Sequence, residues 1–499
     1  MYAIEILPFI TFPILITLLL LWCTYKSAKN KRFPPSPPNL PILGNLHQLS
    51  SLPHQDLHAM ARKHGPLMLL HFGSVPVLIV SSADAAIEIM KTHDLTFASR
   101  PEYKTFKKLS YGGKDVAFSP YGEYWRQMKS IFVLQLLSNK RVQSFRSIRE
   151  EETAIFVRKI GEFKGLVNLS EMFGEFTNDV ICRSAFGSKF RESENRKELL
   201  RILEEFMALL GAICIGDFIP WLSWIDRVSG FDKKLDRASK AMDDFLENLV
   251  RERIEASKGS DGLDKDGQNF VDIMLQIHDE NKVGASITRD DMKALLVDVL
   301  AGGTDTISTT LEWAMTELLR HPIVLEKLQN EVREIAEDNT NITDNDLVKM
   351  HYLKAVIKET LRYHPPLPLL VPRVASKDVR IKGYDILAGT VTMINVWTIG
   401  RDAATWDDAE KFRPERFLES SIDFKGVDFE LIPFGAGRRG CPGITYAVAA
   451  MEFLLANIVQ KFNWKLGNGA QGIDLDTIEA PGIAVHRANP LFAVATKSA

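Results

Sequence analysis

A chain of 499 residues, 45% hydrophobic and 25% charged, with 31 glycines and 23 prolines, has the composition of one that buries a large core, which excludes a disordered, a collagen-like or a coiled-coil chain. Its 61 basic and 64 acidic residues leave a net charge of −3, with no basic surplus for phosphates, which argues against nucleic acid as the main partner. Cys23, Cys182, Cys214 and Cys441 stand far apart with no C-x-x-C, the usage expected in a reducing compartment.

From Ile6 to Tyr25 run twenty uncharged residues, about the length a helix needs to cross a bilayer core. Glu5 before the run and Trp22, Cys23 and Tyr25 at its end do not suit a cleaved signal peptide, so residues 1–25 are expected to be a transmembrane anchor. Lys26, Lys29, Lys31 and Arg32 follow at once, and the positive-inside bias keeps the rest of the chain cytosolic. The prolines of Phe33-Pro-Pro-Ser-Pro-Pro-Asn-Leu-Pro fix φ, making residues 26–50 a basic, stiff linker before a single domain over 51–499.

The domain begins with His54 and His58, one helical turn apart. They lack the glutamate of H-E-x-x-H, and a solvated helix face is expected there rather than zinc. A strand pair, Leu67 to Phe72 and Val75 to Val80, reads around Gly73-Ser74, with a helix from Ala83 to Lys91 after it. Amphipathic helices follow at Leu199 to Leu210 and Leu235 to Ile254, then a polar loop from Ala256 to Asn269.

The longest helix is capped by Thr288 with Asp291 three residues on and is stopped by His321-Pro322, giving about 32 residues, or ~48 Å at 1.5 Å each. Gly302 and Gly303 interrupt it at about 1 kcal/mol each relative to alanine. Two explanations stand side by side: a gap in which a small ligand approaches the backbone beside Asp305 and Thr306, or close packing against another helix. Glu359 and Arg362, at i and i+3, share a helix face and on their own read as an ordinary surface ion pair. Strands are expected again near Val391 to Val396 and Leu491 to Thr496.

The strongest signal is Phe434-Gly-Ala-Gly-Arg-Arg-Gly-Cys-Pro-Gly, ahead of a helical run from Ile444 to Phe462. Gly435, Gly437 and Gly440 allow a tight loop, and Cys441-Pro442 stands where a helix begins, which favours a thiolate. No other cysteine or histidine lies nearby at zinc-like spacing, so one sulfur ligand on a haem explains the lone cysteine better. The same glycines match the dinucleotide-binding G-x-G-x-x-G. That reading fails on context, because no acid follows at about 20 residues and too little chain remains for the βαβ units it needs.

With these residues in hand, the chain resembles the cytochrome P-450 haem-thiolate monooxygenases. Phe434, Gly437, Arg439, Cys441 and Gly443 fill the family's F-x-x-G-x-R-x-C-x-G. Upstream, in order, stand Gly302-Gly303-Thr304-Asp305-Thr306, similar to the oxygen-activation motif, Glu359-Thr-Leu-Arg362, similar to E-x-x-R, and Phe412-Arg-Pro-Glu-Arg-Phe417, similar to P-x-R-F. The proline linker, Tyr124-Trp-Arg-Gln-Met and Pro414-Glu-Arg-Phe resemble the plant microsomal type of specialised metabolism most.

The resemblance implies a mainly α fold with a small β portion, an N-terminal transmembrane helix, and a seat in the endoplasmic reticulum membrane facing the cytosol. It implies haem b with Cys441 as axial ligand and metal-binding residue, Phe434 and Gly435 as cofactor contacts, and Arg439, Trp125 and Arg373 as propionate partners. Lys129 replaces the family's usual arginine at a further propionate contact, keeping charge but losing the bidentate fork. Thr306 and Asp305 become the catalytic proton relay for dioxygen, and Glu359, Arg362 and Arg416 a buried structural triad. NADPH electrons are expected from a separate reductase, and a small lipophilic substrate from a pocket drawn from residues 103–116, 206–210, 300–302, 369–371 and 483–485. A non-catalytic, membrane-anchored haem or lipid binder remains the alternative.

Overall fold

The computed structural model describes residues 31–187, 195–257, 268–280, 287–337 and 342–498. The expected anchor and most of the polar loop fall outside these. Among the described residues, no helix is long and apolar enough to cross a membrane.

The architecture is organised around one helix, Arg289–Arg320. Its start is a reciprocal cap: Thr288 Oγ1 accepts from the Asp291 amide at 3.3 Å, and Asp291 Oδ2 accepts from the Thr288 amide at 2.7 Å. These bonds satisfy two of the amides that a helix end otherwise leaves orphaned. Its end is set by Pro322, which opens the next helix, Pro322–Ala336, at the first-turn position that proline tolerates. Almost every side chain from Ala294 to Leu319 is buried, Trp313 at 1% exposure, so this helix is the axis of the main hydrophobic core. Its broadest partner is the helix Leu169–Phe186, and Ile444–Lys461 and His351–Tyr363 pack around it.

The β portion is small. The hairpin Leu67–Phe72 and Val75–Val80 turns at Gly73, φ +57°, a left-handed value that glycine meets without strain. Val391–Ile394 pairs parallel to the second hairpin strand, and Arg373–Val374 pairs antiparallel beyond it. A second sheet joins Leu166–Asn168 and Phe462–Lys465 through the C-terminal strand Phe492–Lys497. The proline-rich stretch lies against the first sheet: the Leu69 amide donates to the Pro35 carbonyl at 3.0 Å, and Pro34 and Pro37 are buried.

Three sequence expectations need correction. The helix from Ala83 holds α geometry only to Ile87 and widens into a π turn over Glu88–Thr92, which lays the Met90 carbonyl against the glycine loop near the C-terminus. The strand beginning at Val391 stops at Ile394, because Asn395 Oδ1 accepts from the Thr398 amide at 3.0 Å and caps a short helix. His54 and His58 do not lie on a solvated face. His54 is 1% exposed, with Nε2 2.7 Å from Glu479 Oε2, and half-buried His58 reaches Thr398 Oγ1 at 3.3 Å, because the turn carrying Glu479 covers that side of the helix.

Glu359 and Arg362 are fully buried and form no surface pair. Glu359 receives Arg362 Nε at 2.7 Å and Nη2 at 2.8 Å, Arg416 Nε at 3.1 Å, and the Arg413 amide at 2.7 Å. Arg362 also donates to the carbonyls of Gly400, Ala409 (2.9 Å) and Lys411 (3.1 Å). This network pins the long loop 400–416 to the helix His351–Tyr363.

Candidate active site

The cysteine loop is held by its own backbone. The Cys441 amide donates to the Phe434 carbonyl at 2.9 Å, and the Gly440 amide to the Gly437 carbonyl at 3.0 Å. Gly437, at φ +67°, is required for a second reason: a Cβ there would lie 2.4 Å from the Met90 carbonyl oxygen. Beside the sulfur, the Gly443 amide donates to Cys441 Sγ at 3.3 Å, and Lys129 Nζ donates to the Gly440 carbonyl at 2.9 Å. Burial nevertheless pushes the Cys441 thiol above its ordinary value, with the Gly443 amide and Lys129 opposing. A metal cation facing the sulfur would oppose that rise and favour the thiolate.

Such a place exists. A cavity of about 300 Å³ opens between the cysteine loop and the middle of the central helix, with Cys441 on one wall and Gly302, Gly303 and Thr306 on the other. The two glycines divide the two explanations between them. A Cβ on Gly302 would meet nothing within 4 Å, so this glycine leaves open cavity, whereas one on Gly303 would lie 2.6 Å from Ile181 Cδ1 and 3.1 Å from its Cγ1, so this one admits a neighbouring helix. Gly303→Val is therefore expected to destabilise the fold by ~1–3 kcal/mol through overpacking. Gly302→Ala should keep or slightly raise stability, by up to ~1 kcal/mol, while narrowing the cavity. Thermal unfolding midpoints of the two variants check the contrast.

Thr306 Oγ1 donates to the Gly302 carbonyl at 2.7 Å, one turn back, a bond that occupies that carbonyl and aims the hydroxyl at the gap. Asp305 does not line the cavity. It points along the helix flank, where Oδ1 lies 2.8 Å from His486 Nε2.

The cavity floor is electrostatically unbalanced. Arg100, Lys129, Arg373 and Arg439 line it against two acids, Asp115 and Asp298. Burial, joined by the repulsion of Arg373, lowers Arg439 to about 9. Burial also lowers Arg373 to about 10 despite Asp94, and Lys129 to about 8. Arg100 falls for the same reason, with Arg439 and Arg373 adding repulsion. Both acids are displaced the other way: burial lifts Asp115 to about 7, and burial with the nearby Asp115 raises Asp298. A desolvated cluster of cations with weakened acids is a site short of negative charge. A planar group with two carboxylates, bound through iron to Cys441, meets that deficit, so these residues fit a haem.

Of the residues singled out from sequence, Cys441, Arg439, Phe434, Gly435, Trp125, Lys129, Arg373 and Thr306 all meet at this one cavity. Trp125 Nε1 donates to the Val116 carbonyl at 3.0 Å, and its ring lies 4.1 Å beneath the Arg439 guanidinium. Each of the five expected pocket stretches contributes a wall residue: Leu109, Phe206, Ala301, Leu370 and Ile483 are examples. Sequence reasoning missed Arg100, Asp298 and His486. Asp298 left a signal, as a charge within the otherwise apolar run Leu295 to Ala301; Arg100 and His486 sit in segments without periodicity.

The family model for cytochrome P450 matches residues 34–492. Cytochrome P450 71A8 of Mentha piperita is 55% identical over 495 residues, covering 98% of this chain and 96% of its own. The tabersonine/lochnericine 19-hydroxylase of Catharanthus roseus is 48% identical over 490 residues, covering 97% and 96%. Among solved structures, a zebra fish cytochrome P450 with progesterone superposes with a TM-score of 0.75 at 26% identity, covering 89% of this chain and 99% of that one.

Proposed function

Because the chain belongs to the cytochrome P450 family, as a plant haem monooxygenase of specialised metabolism, we propose that it is anchored in the endoplasmic reticulum membrane by residues 1–25 and inserts one oxygen atom from dioxygen into a small lipophilic substrate, with NADPH electrons supplied by a separate reductase. The observation that carries this is the meeting, in one apolar cavity, of Cys441, the open space at Gly302 and the Thr306 hydroxyl. The reaction type is supported by the 19-hydroxylase relative, whose name states the same class of chemistry.

Haem b, when bound, supplies the dioxygen and one-electron chemistry, which the cysteine thiolate tunes by pushing electron density onto the iron. The chain's own residues do the rest. Arg100, Arg373, Arg439 and Lys129 would hold the group's carboxylates, with Trp125 buttressing Arg439 through its face. Thr306 lines the open space with Oγ1, whose hydrogen rests on the Gly302 carbonyl until it is passed on, and Asp305, one residue away, would replenish it from outside. Phe206, Leu210, Leu370 and Ile483 exclude water and orient an apolar substrate by shape, a mode of recognition that separates neighbours of similar size poorly.

The test is turnover of a panel of lipophilic plant metabolites by membranes holding this chain and a reductase. Thr306→Ala should keep the haem spectrum and substrate-induced spectral shift, while product formed per NADPH drops roughly a hundredfold, at the low end of a general acid–base contribution. A variant with undiminished product yield would overturn the assignment of Thr306.

A further inference from the structure

His486 comes from the C-terminal segment, yet it sits against the middle of the central helix because its neighbours are pinned there. Trp313 Nε1 donates to the Val485 carbonyl at 2.9 Å, the Arg487 amide donates to Glu312 Oε2 at 3.4 Å, and the Val485 amide donates to the Pro366 carbonyl at 2.9 Å. The imidazole is thereby held rigidly, half-buried, with one edge toward solvent. Nε2 lies 2.8 Å from Asp305 Oδ1, while Thr309 Oγ1 lies over the ring face, 2.9 Å from Nδ1 and 3.3 Å from Nε2.

Thr309 supports the ring from its face without fixing its tautomer. Its hydroxyl donates to the Asp305 carbonyl at 2.7 Å, so its single hydrogen is used there. The 2.8 Å line between Nε2 and Asp305 carries one proton, residing either on Nε2 or on the carboxyl oxygen. The pair is a stored proton on the flank of the helix, one residue from Thr306 and at the edge of solvent.

The geometry points to His486 as the residue that positions Asp305 and feeds it protons from solvent during oxygen activation, an inference that rests on the assignment of Asp305 and Thr306 above. In the step, the Nε2–H bond of the imidazolium breaks as Oδ1–H forms, leaving a neutral imidazole; once Asp305 has passed its proton on, the ring takes up a proton from a solvent hydronium ion, so one proton moves from bulk to Asp305 and the imidazolium is restored. The groups facing this pair are Thr309 and Glu312 on the central helix, Ser170 through Glu312 on the helix Leu169–Phe186, and Arg487 with Asp476 on the C-terminal segment. Burial lowers the imidazole, but hydrogen bonding and attraction by Asp305, aided by Glu312, outweigh it and raise the value above 6.5. A raised value means the ion pair adds stability that is complete below the free-histidine value and is lost as pH climbs through the folded one.

Three variants in the full membrane-bound enzyme with reductase test this. His486→Gln should keep the carbon-monoxide spectrum but lower product per NADPH roughly tenfold, the loss typical when an orienting partner is removed, and should abolish the decline in coupling expected of the unmodified enzyme as pH rises. In the diamagnetic ferrous carbon-monoxide form, the His486 imidazole resonance should titrate above the free-histidine value and return to it in Asp305→Asn. His486→Lys keeps a cation beside Asp305 without titrating near neutrality. If it restores coupling, or if the His486 resonance titrates as free histidine, the inference is overturned. Should Asp305→Asn and Thr306→Ala leave coupling intact, the underlying assignment fails; should they uncouple while His486→Gln does not, this inference alone falls.

Discussion

Cys441→Ser yields a folded protein that has lost both the red-shifted band of the reduced, carbon-monoxide-treated enzyme and all monooxygenase turnover. The fold should survive because the loop does not depend on sulfur: the amide-to-carbonyl bonds from Cys441 to Phe434 and from Gly440 to Gly437 are backbone bonds, and Gly437 fits against Met90 whatever side chain follows. The chemistry should not survive, because serine keeps a proton that burial makes still harder to remove, and a hydroxyl lacks the soft, electron-donating character of a thiolate. Circular dichroism checks the first half and difference spectroscopy the second. A serine variant retaining the band and turnover would remove the ground for every role assigned to the cavity.

Glu359→Ala is the largest expected loss of stability, about 3–5 kcal/mol, the range for breaking one partner out of a buried ion network. Glu359 is fully buried and is the single carboxylate between Arg362 and Arg416, with Oε1 also serving the Arg413 amide. Removing it leaves two guanidiniums and one amide without their acceptor, where water cannot substitute. Because Arg362 simultaneously holds the carbonyls of Gly400, Ala409 and Lys411, the loop 400–416 should detach as a unit. Haem retention should fall with it. The measurement is chemical denaturation followed by tryptophan fluorescence, since Trp406 sits in that loop against the Arg362 guanidinium. Glu359→Gln should cost less than Glu359→Ala, because an amide oxygen still accepts one of these bonds.

How much could be read from the chain alone depended on whether a residue's partner was local. The central helix was legible to its ends, since Thr288, Asp291 and Pro322 act within a turn of where they stand. The hairpin around Gly73 was legible for the same reason. The cysteine loop announced itself because three glycines and a proline must cluster to make it. Asn395, by contrast, stops a strand that its neighbours favour, through a side-chain bond that a β-branched pattern does not report. His54 looked solvated because Glu479, which covers it, lies at the far end of the chain. Arg100 was invisible because its role comes from the Val371, Pro372 and Ala117 carbonyls it reaches, at 2.7, 2.9 and 2.8 Å, none of them near in sequence to both others. Asp305 was found but its orientation was not, because His486 is what turns it.

The two small sheets carry a consequence for how the chain comes into being. The hairpin at Leu67–Val80 waits for Val391–Ile394, and Leu166–Asn168 waits for the final strand Phe492–Lys497. Both early segments leave the ribosome with unpaired edges that nothing made within the next few seconds of synthesis can cover, since elongation runs at about 5–20 residues per second. Helices can condense around Arg289–Arg320 as they emerge, but the first sheet stays open until Ile394 has been made and the second until the strand Phe492–Lys497 has. Until then each early segment is exposed to edge-to-edge association, and a chain cut short before its partner strand leaves an open sheet for quality control to find.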